Sequence, residues 1–270
     1  MTDDRRQQGQ DSKVYFAVQF AAFQNKSELA SRVSKAIDRR QCSERVGWSQ
    51  WMHLRLCVAA DSLIRLASFQ ARIQRGEVCT IDQSSISSIS RGMIEAAAMI
   101  AYMTDQSLKE SEWRLRRLII CLHDATTRYK MFKGWKEDAE SAAHRANMDR
   151  LRLEIEGTLE FMSLPKDRQK KLLSGQEVYI HGLRSVVRLM NWGVEDFNSA
   201  YAYLSAHAHS SPVSFIRLAE HGIDFKSPTG AQYATAAIAI EIAGNALEFA
   251  TERIVSLFPD TAKIVSEFRS

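Results

Sequence analysis

Two stretches of this 270-residue sequence carry side chains whose types and spacing suit phosphate or proton-transfer chemistry. The first is Arg91 with Glu95, four residues apart in a segment, Ile86 to Met103, that holds no other charge. On a helix these two share a face and can pair. The second is Tyr201, Ser205 and His209, each four residues after the last. Side chains so spaced line one helical face, drifting by about 40° per step. A guanidinium fixed on an apolar helix presents a planar donor fork to a phosphate or carboxylate. A histidine near a helix end serves as general acid or base near neutral pH, and the helix dipole there favours its protonated form.

Each group also has a bland reading. Arg91 and Glu95 can be a buried ion pair that fixes helix register, and His209 can simply cap its helix or bond a carboxylate. The Tyr201 to Ser210 stretch also contains His207, but on a helix residues two apart point about 200° from each other. His207 and His209 therefore cannot chelate one metal there. Other chemistry lacks its motif: there is no phosphate-binding glycine loop, nucleophile elbow, His-Glu-x-x-His or dinucleotide fingerprint. Glu140 and His144 sit at helical spacing on a charged stretch and read as a solvated pair. The chemistry implied needs neither cofactor nor metal.

These residues must be positioned by helices. Four Pro and 12 Gly are too few for the turns of an all-β fold. The fold class read from the sequence is all-α, a single multi-helix bundle of about eight to ten helices. Residues 1 to 13 read as a disordered tail and 14 to 270 as one domain, with a peripheral helical insertion at 134 to 180. Within it, Val14 to Phe23 and Ser27 to Arg40 are expected as two short helices. Glu44 to Arg75 follows as a long helix, with Trp48, Trp51, Met52, Ala59, Leu63, Leu66 and Ile73 on or near one face. Thr80 with Gln83, and Ser107 with Glu110, resemble capping boxes that open the next two helices. The helix from Thr80 to Thr104 carries so little charge that it should be central, with Arg91 and Glu95 inside or lining a cleft. Gly193 to His209 and Thr229 to Phe258 are further helices, the last rich in Ala and Gly so that neighbours can approach closely.

Composition bounds the partners. A net charge of +4 permits nucleic-acid contact but falls short of a strongly basic footprint. Four separated cysteines (Cys42, Cys57, Cys79 and Cys121) form neither a disulfide framework nor a zinc pattern and suit a reducing cytoplasm. No signal-peptide core is visible at the start. The most apolar stretch, Ala231 to Ala250, is broken by a polar stripe of Glu241, Asn245 and Glu248, continued by Glu252, so no membrane partner is expected.

The Arg91-x-x-x-Glu95 and Tyr201-x-x-x-Ser205-x-x-x-His209 pattern resembles an uncharacterised all-helical family of bacteria and phages that is distantly HEPN-like. The resemblance spans roughly residues 45 to 255 and rests on about five side chains. It implies a HEPN-like bundle in which those five residues converge on one polar site. Many HEPN proteins are metal-independent RNases of bacterial toxin and antiviral systems, whose Arg and His come from a short motif and often meet across a dimer interface. Arg116 and Arg117 each precede His123 at a permitted spacing, and Arg116 returns nearer to the His123 face. The polar residue that commonly follows the motif Arg is absent, since Leu118 follows Arg117, and the spacing occurs about as often as composition alone would give. Arg116 and His123 are therefore secondary candidates. The functional expectation is a cytoplasmic defence or toxin-type protein acting on RNA. The alternative is a non-catalytic helical module that binds a protein partner; a homodimer is compatible with either.

Overall fold

The computed structural model describes residues 2–38, 40–69, 75–76, 80–209, 211–223 and 227–269, apart from the side chains of 2–10 and 213. Among the described residues there are twelve α-helices, one short 3-10 turn and no strand. The helices are α1 (Thr2–Ile37), α2 (Glu44–Ala67), α3 (Gln83–Met103), α4 (Glu110–Gly134), α5 (Asp138–Glu156), α6 (Leu159–Met162), α7 (Lys166–Leu173), α8 (Leu183–Leu189), α9 (Val194–Ala208), α10 (Pro212–Glu220), α11 (Gly230–Leu257) and α12 (Ala262–Arg269). A short helix beginning at Ser163-Leu-Pro165 was expected and is α7; the count exceeds eight to ten because α6, α8, α10 and α12 are too short to show helical periodicity.

The chain divides into two compact units, Met1–Ala101 with Trp192–Ser270, and Tyr102–Asn191. The sequence instead reads as one domain with a peripheral piece at 134 to 180. The second unit also takes in α4, because Leu115, Leu118, Ile119 and Leu122 share a core with Met148, Leu151 and Ile155 of α5.

In the first unit α1 is one continuous helix, where a disordered tail and two short helices were expected. Nothing between Phe23 and Ser27 breaks a helix. Phe16, Phe23, Ser27, Ala30, Val33 and Ile37 recur at multiples of three and four and are all buried. Helix α1 runs parallel to α11. Lys13 lies over the Tyr233 ring and Tyr15 bonds to Glu241. Further along, Lys26 reaches Asn245 at 3.0 Å and Glu248 at 2.8 Å. The polar stripe of α11 is thus answered by α1. At Gly244 a Cβ would stand in ordinary contact, 3.4 Å from the Phe23 ring. No helix among the described residues is long and apolar enough to cross a membrane.

Helix α2 runs antiparallel to α11, with His53 opposite Thr251 and Phe69, just past its end, near Tyr233. Its buried face is Ser49, His53, Leu56, Cys57, Ala60, Leu63 and Ala67. The expected aromatic face is not the buried one: Trp51 is 63% exposed. Leu56 and Leu63 fill the contact beside the smaller Ser49, Cys57, Ala60 and Ala67 and one histidine. Ile73 and Cys79 lie outside the described residues. Of the other cysteines Cys57 is buried, Cys121 half-buried and Cys42 exposed. Two caps also differ from expectation. Asp82 accepts the Ser85 amide at 3.0 Å and opens α3, while Thr80 instead accepts from Gln232 at 2.7 Å. Glu112 accepts the Lys109 amide at 3.1 Å and opens α4, while Ser107 bonds to Asp105.

Thr251 gives its only hydroxyl proton to the Leu247 carbonyl at 2.8 Å, so it accepts from Nε2 of His53 at 3.2 Å. Burial pushes the His53 imidazole down from 6.5 to about 4. Between those values the unfolded chain takes up a proton that the folded chain refuses. The stabilisation from neutral His53 is therefore full above pH 6.5 and lost as pH falls towards about 4. Denaturant unfolding should show wild type losing about 3 kcal/mol more than His53→Leu over that interval. Parallel slopes for the two proteins would contradict the assignment.

Candidate functional site

Helices α3 and α9 supply the site, both within the first unit. Helix α3 buries Met93, Ile94, Ala97, Ala98 and Ile100, which turns Arg91 and Glu95 to its edge. Their side chains are 24% and 47% exposed, so of the two placements the low charge of the helix allowed, inside or lining a cleft, the pair is not inside. Helix α9 starts after Gly193, whose backbone is extended. It ends at His209, whose backbone is extended and whose amide donates to the Ser205 carbonyl at 3.1 Å.

Arg91 is the hub. Its Nε donates to Glu95 Oε1 at 3.1 Å and its Nη2 to the Tyr201 hydroxyl at 2.9 Å; Nη1 bonds to His209 Nε2. Tyr201 donates in turn to Glu95 Oε1 at 2.7 Å, closing a ring of three groups. The guanidinium also stacks 4.9 Å from the centre of the Tyr201 ring. A guanidinium can only donate, so His209 Nε2 accepts and the imidazole is the neutral tautomer with its proton on Nδ1. Burial works against the charge on Arg91, but its bond to Tyr201 and the nearby Glu95 carboxylate outweigh it and hold the pKa above its ordinary value. Tyr201 is raised, chiefly by burial and by its bond to Glu95, with Arg91 pulling the other way.

Of the five residues singled out by spacing, Arg91, Glu95, Tyr201 and His209 form one bonded cluster. Ser205 shares their face, but its buried hydroxyl has no hydrogen-bond partner among the described residues. Phe197 is a member that spacing analysis missed. It stacks on Tyr201 at 5.7 Å with an interplanar angle of 16°, and Trp192 lies 6.3 Å from it. Phe197 extends the Tyr201, Ser205, His209 series back by one step of four, which is the signal that would have found it. Beyond it a hollow of about 290 Å³ is lined by Trp192, Asp196, Phe197, Ile242 and Asn245.

The secondary candidates lie in the other unit and do structural work. His123 Nδ1 donates to the Gly175 carbonyl at 3.1 Å. It pins a turn where a Cβ on Gly175 would meet the Thr126 hydroxyl at 2.0 Å. Arg116 donates to the Tyr102 carbonyl, pairs with Asp105 at 3.5 Å and lies 4.1 Å over the Tyr102 ring. Among the described residues no group of three or more His, Cys, Asp or Glu side chains is placed to hold a metal.

No family model, curated protein or solved structure matches this chain.

The ring of bonds joining Glu95, Arg91 and Tyr201 should be energetically coupled. A double-mutant cycle of Glu95→Ala and Tyr201→Phe should show a coupling of about 0.5–1 kcal/mol in unfolding free energy, modest because the groups are part-exposed. Strict additivity would mean that the bonds contribute nothing jointly.

Proposed function

We propose that this chain is a HEPN-like bacterial defence or toxin-type protein that acts on RNA at the Arg91–His209 cluster. The observation that carries the proposal is the direct contact of a part-exposed guanidinium with the acceptor nitrogen of a neutral histidine. A phosphodiester bound at Arg91 would take over Nη1 as its donor. That frees the lone pair of His209 Nε2 beside the bound phosphate.

The reaction this suits is transesterification without a metal. His209 Nε2 takes the proton of a ribose 2′-hydroxyl as that oxygen bonds to phosphorus. The bond from phosphorus to the 5′ oxygen breaks, giving a 2′,3′-cyclic phosphate, and the leaving oxygen is protonated from water. Arg91 offsets the charge that builds on the non-bridging oxygens. Glu95 and Tyr201 hold Arg91 in place. The hollow beside Trp192 and Phe197 offers apolar and aromatic surface against which a base can rest, with Asp196 and Asn245 able to reach its polar edge.

A second reading also has an observation behind it. Arg91 already spends donors on Glu95, Tyr201 and His209, as a purely structural network would. The chain would then be a non-catalytic helical module that binds a protein partner. The two readings separate on one variant. With EDTA present, wild type should cleave a mixed RNA pool and His209→Ala should lose at least ~100-fold in rate while keeping the wild-type melting profile, the range expected for a lost acid–base group. Equal rates would remove His209 from the chemistry. Inactive wild type together with a lowered melting temperature in the variant would favour the interaction module.

A further inference from the structure

The hollow beside Trp192 has a donor and acceptor pattern of its own. It lies within the first unit, between the first turn of α9 and the middle of α11, and its volume of about 290 Å³ holds one heterocyclic base. Phe197 is only 4% exposed, so Trp192 and Ile242 supply the apolar surface that a ring can reach. Two polar groups complete the lining. Asp196 is exposed, and its carboxylate stands over Gly193, where a Cβ would come 2.5 Å from Oδ2. Among the described residues nothing bonds to that carboxylate, an acceptor with two oxygens side by side. Asn245 is already oriented. Its side-chain oxygen accepts from Lys26 Nζ at 3.0 Å, and Lys26 is held in turn by Glu248 at 2.8 Å. An ammonium only donates, so the amide atom facing it is the oxygen, and Nδ2 with its two hydrogens is what Asn245 can offer a ligand.

We propose that this hollow reads a guanine base of an RNA strand whose phosphate lies at Arg91, with Asp196 as the specificity-determining residue. The inference rests on the reading of the Arg91–His209 cluster as an RNA site. Phe197 joins the two places: it lines the hollow and stacks on Tyr201, whose hydroxyl bonds to Arg91. A strand with one base in the hollow therefore runs its backbone past Arg91. The hollow offers an anionic double acceptor and a neutral donor. Guanine alone carries two adjacent N–H donors on one edge, N1–H and the 2-amino group, with the O6 acceptor beside them. The two donors match the two carboxylate oxygens, and O6 accepts from Asn245. Paired bonds to an ionised group are about twice as strong as neutral ones. Each other base fails by its own chemistry. Adenine and cytosine set an unprotonated ring nitrogen beside their amino group, and its lone pair would face the second carboxylate oxygen. Uracil sets its one N–H between two carbonyls, which the carboxylate repels. Hypoxanthine keeps N1–H and O6 and lacks only the amino group, so it isolates the second bond.

The test is fluorescence anisotropy on the full chain with 2′-O-methyl tetranucleotides identical but for one base. These ligands cannot be cut, so binding is read apart from cleavage. Wild type should bind the guanosine ligand about tenfold tighter than the inosine one, the loss of one bond to a charged group. The margin over adenosine, cytidine and uridine should be at least as large, because a site built to bond a donor rejects a ligand that lacks it. Asp196→Asn should remove most of this preference while keeping the wild-type melting profile. Trp192→Ala should instead weaken all the ligands by a similar factor, since stacking tolerates any base. Equal binding of all the ligands, binding of none, or a guanosine preference that survives Asp196→Asn would overturn the proposal. Cleavage is judged separately on the mixed RNA pool. Cuts without base preference would keep the RNase reading and remove this one, whereas guanosine preference without cuts would do the reverse.

Discussion

Much of the first unit depends on the parallel packing of α1 and α11. Parallel neighbours place like dipole ends together, so side chains must favour the arrangement. The contacts of Lys13 with Tyr233, Tyr15 with Glu241, Lys26 with Glu248 and Arg40 with Asp260 fix direction and register along the whole length. Small residues on α11 (Ala236, Ala239, Ala243, Gly244 and Ala250) bring the backbones close enough for those contacts to form. Helix α2, antiparallel to α11, then closes the triangle with a buried neutral His53. Two parallel helices cannot be joined by a tight turn, and the chain between them supplies α2, α3, α9 and α10 to the same unit. The polar cluster is carried on that intervening chain.

Within the cluster the governing constraint is that a guanidinium has no acceptor. Every group touching Arg91 must offer a lone pair, which fixes the tautomer of His209 and leaves the Tyr201 proton to Glu95. The result is a charged group with a defined orientation, held at the surface by partners that together carry one negative charge. An anion that competes with His209 for Arg91 changes what the imidazole can do without moving either helix. The aromatic stack from Tyr201 through Phe197 to Trp192 makes the same surface partly apolar, which suits a ligand with both phosphate and ring.

The all-helical class was legible in the sequence, and so was the pairing of Arg91 with Glu95 and of Tyr201 with His209, because steps of four on a helix map directly onto one face; that the two pairs meet was implied only by the family resemblance. Spacing cannot say which face a neighbour covers. On α2 Trp48, Trp51, Met52 and Leu63 suggested the core face; Leu63 is buried as expected, but Trp51 is exposed and the covered face runs through Ser49, His53, Leu56 and Ala60. Continuity of α1 was hidden because its first thirteen residues are polar and only the later part shows the apolar stripe. Capping pairs were misplaced by about two residues: Thr80 and Ser107 have the right chemistry, but Asp82 and Glu112 compete better for the free amides at the true helix starts. The pairing of α4 with α5 was obscured by a strongly charged outer surface over a narrow apolar seam at Met148, Leu151 and Ile155.

The most direct test of the central claim, that a phosphate takes over Arg91 Nη1 and frees His209 Nε2, is nitrogen NMR of the His209 imidazole. Spectra would be taken free, with an RNA blocked by 2′-deoxy substitution, and again in Arg91→Met. The expected result is a free protein with the proton on Nδ1 and Nε2 as acceptor, an Nε2 signal that shifts when the blocked RNA is added, and no such shift in the variant. An Nε2 signal unchanged by RNA, or one that responds equally without Arg91, would contradict it.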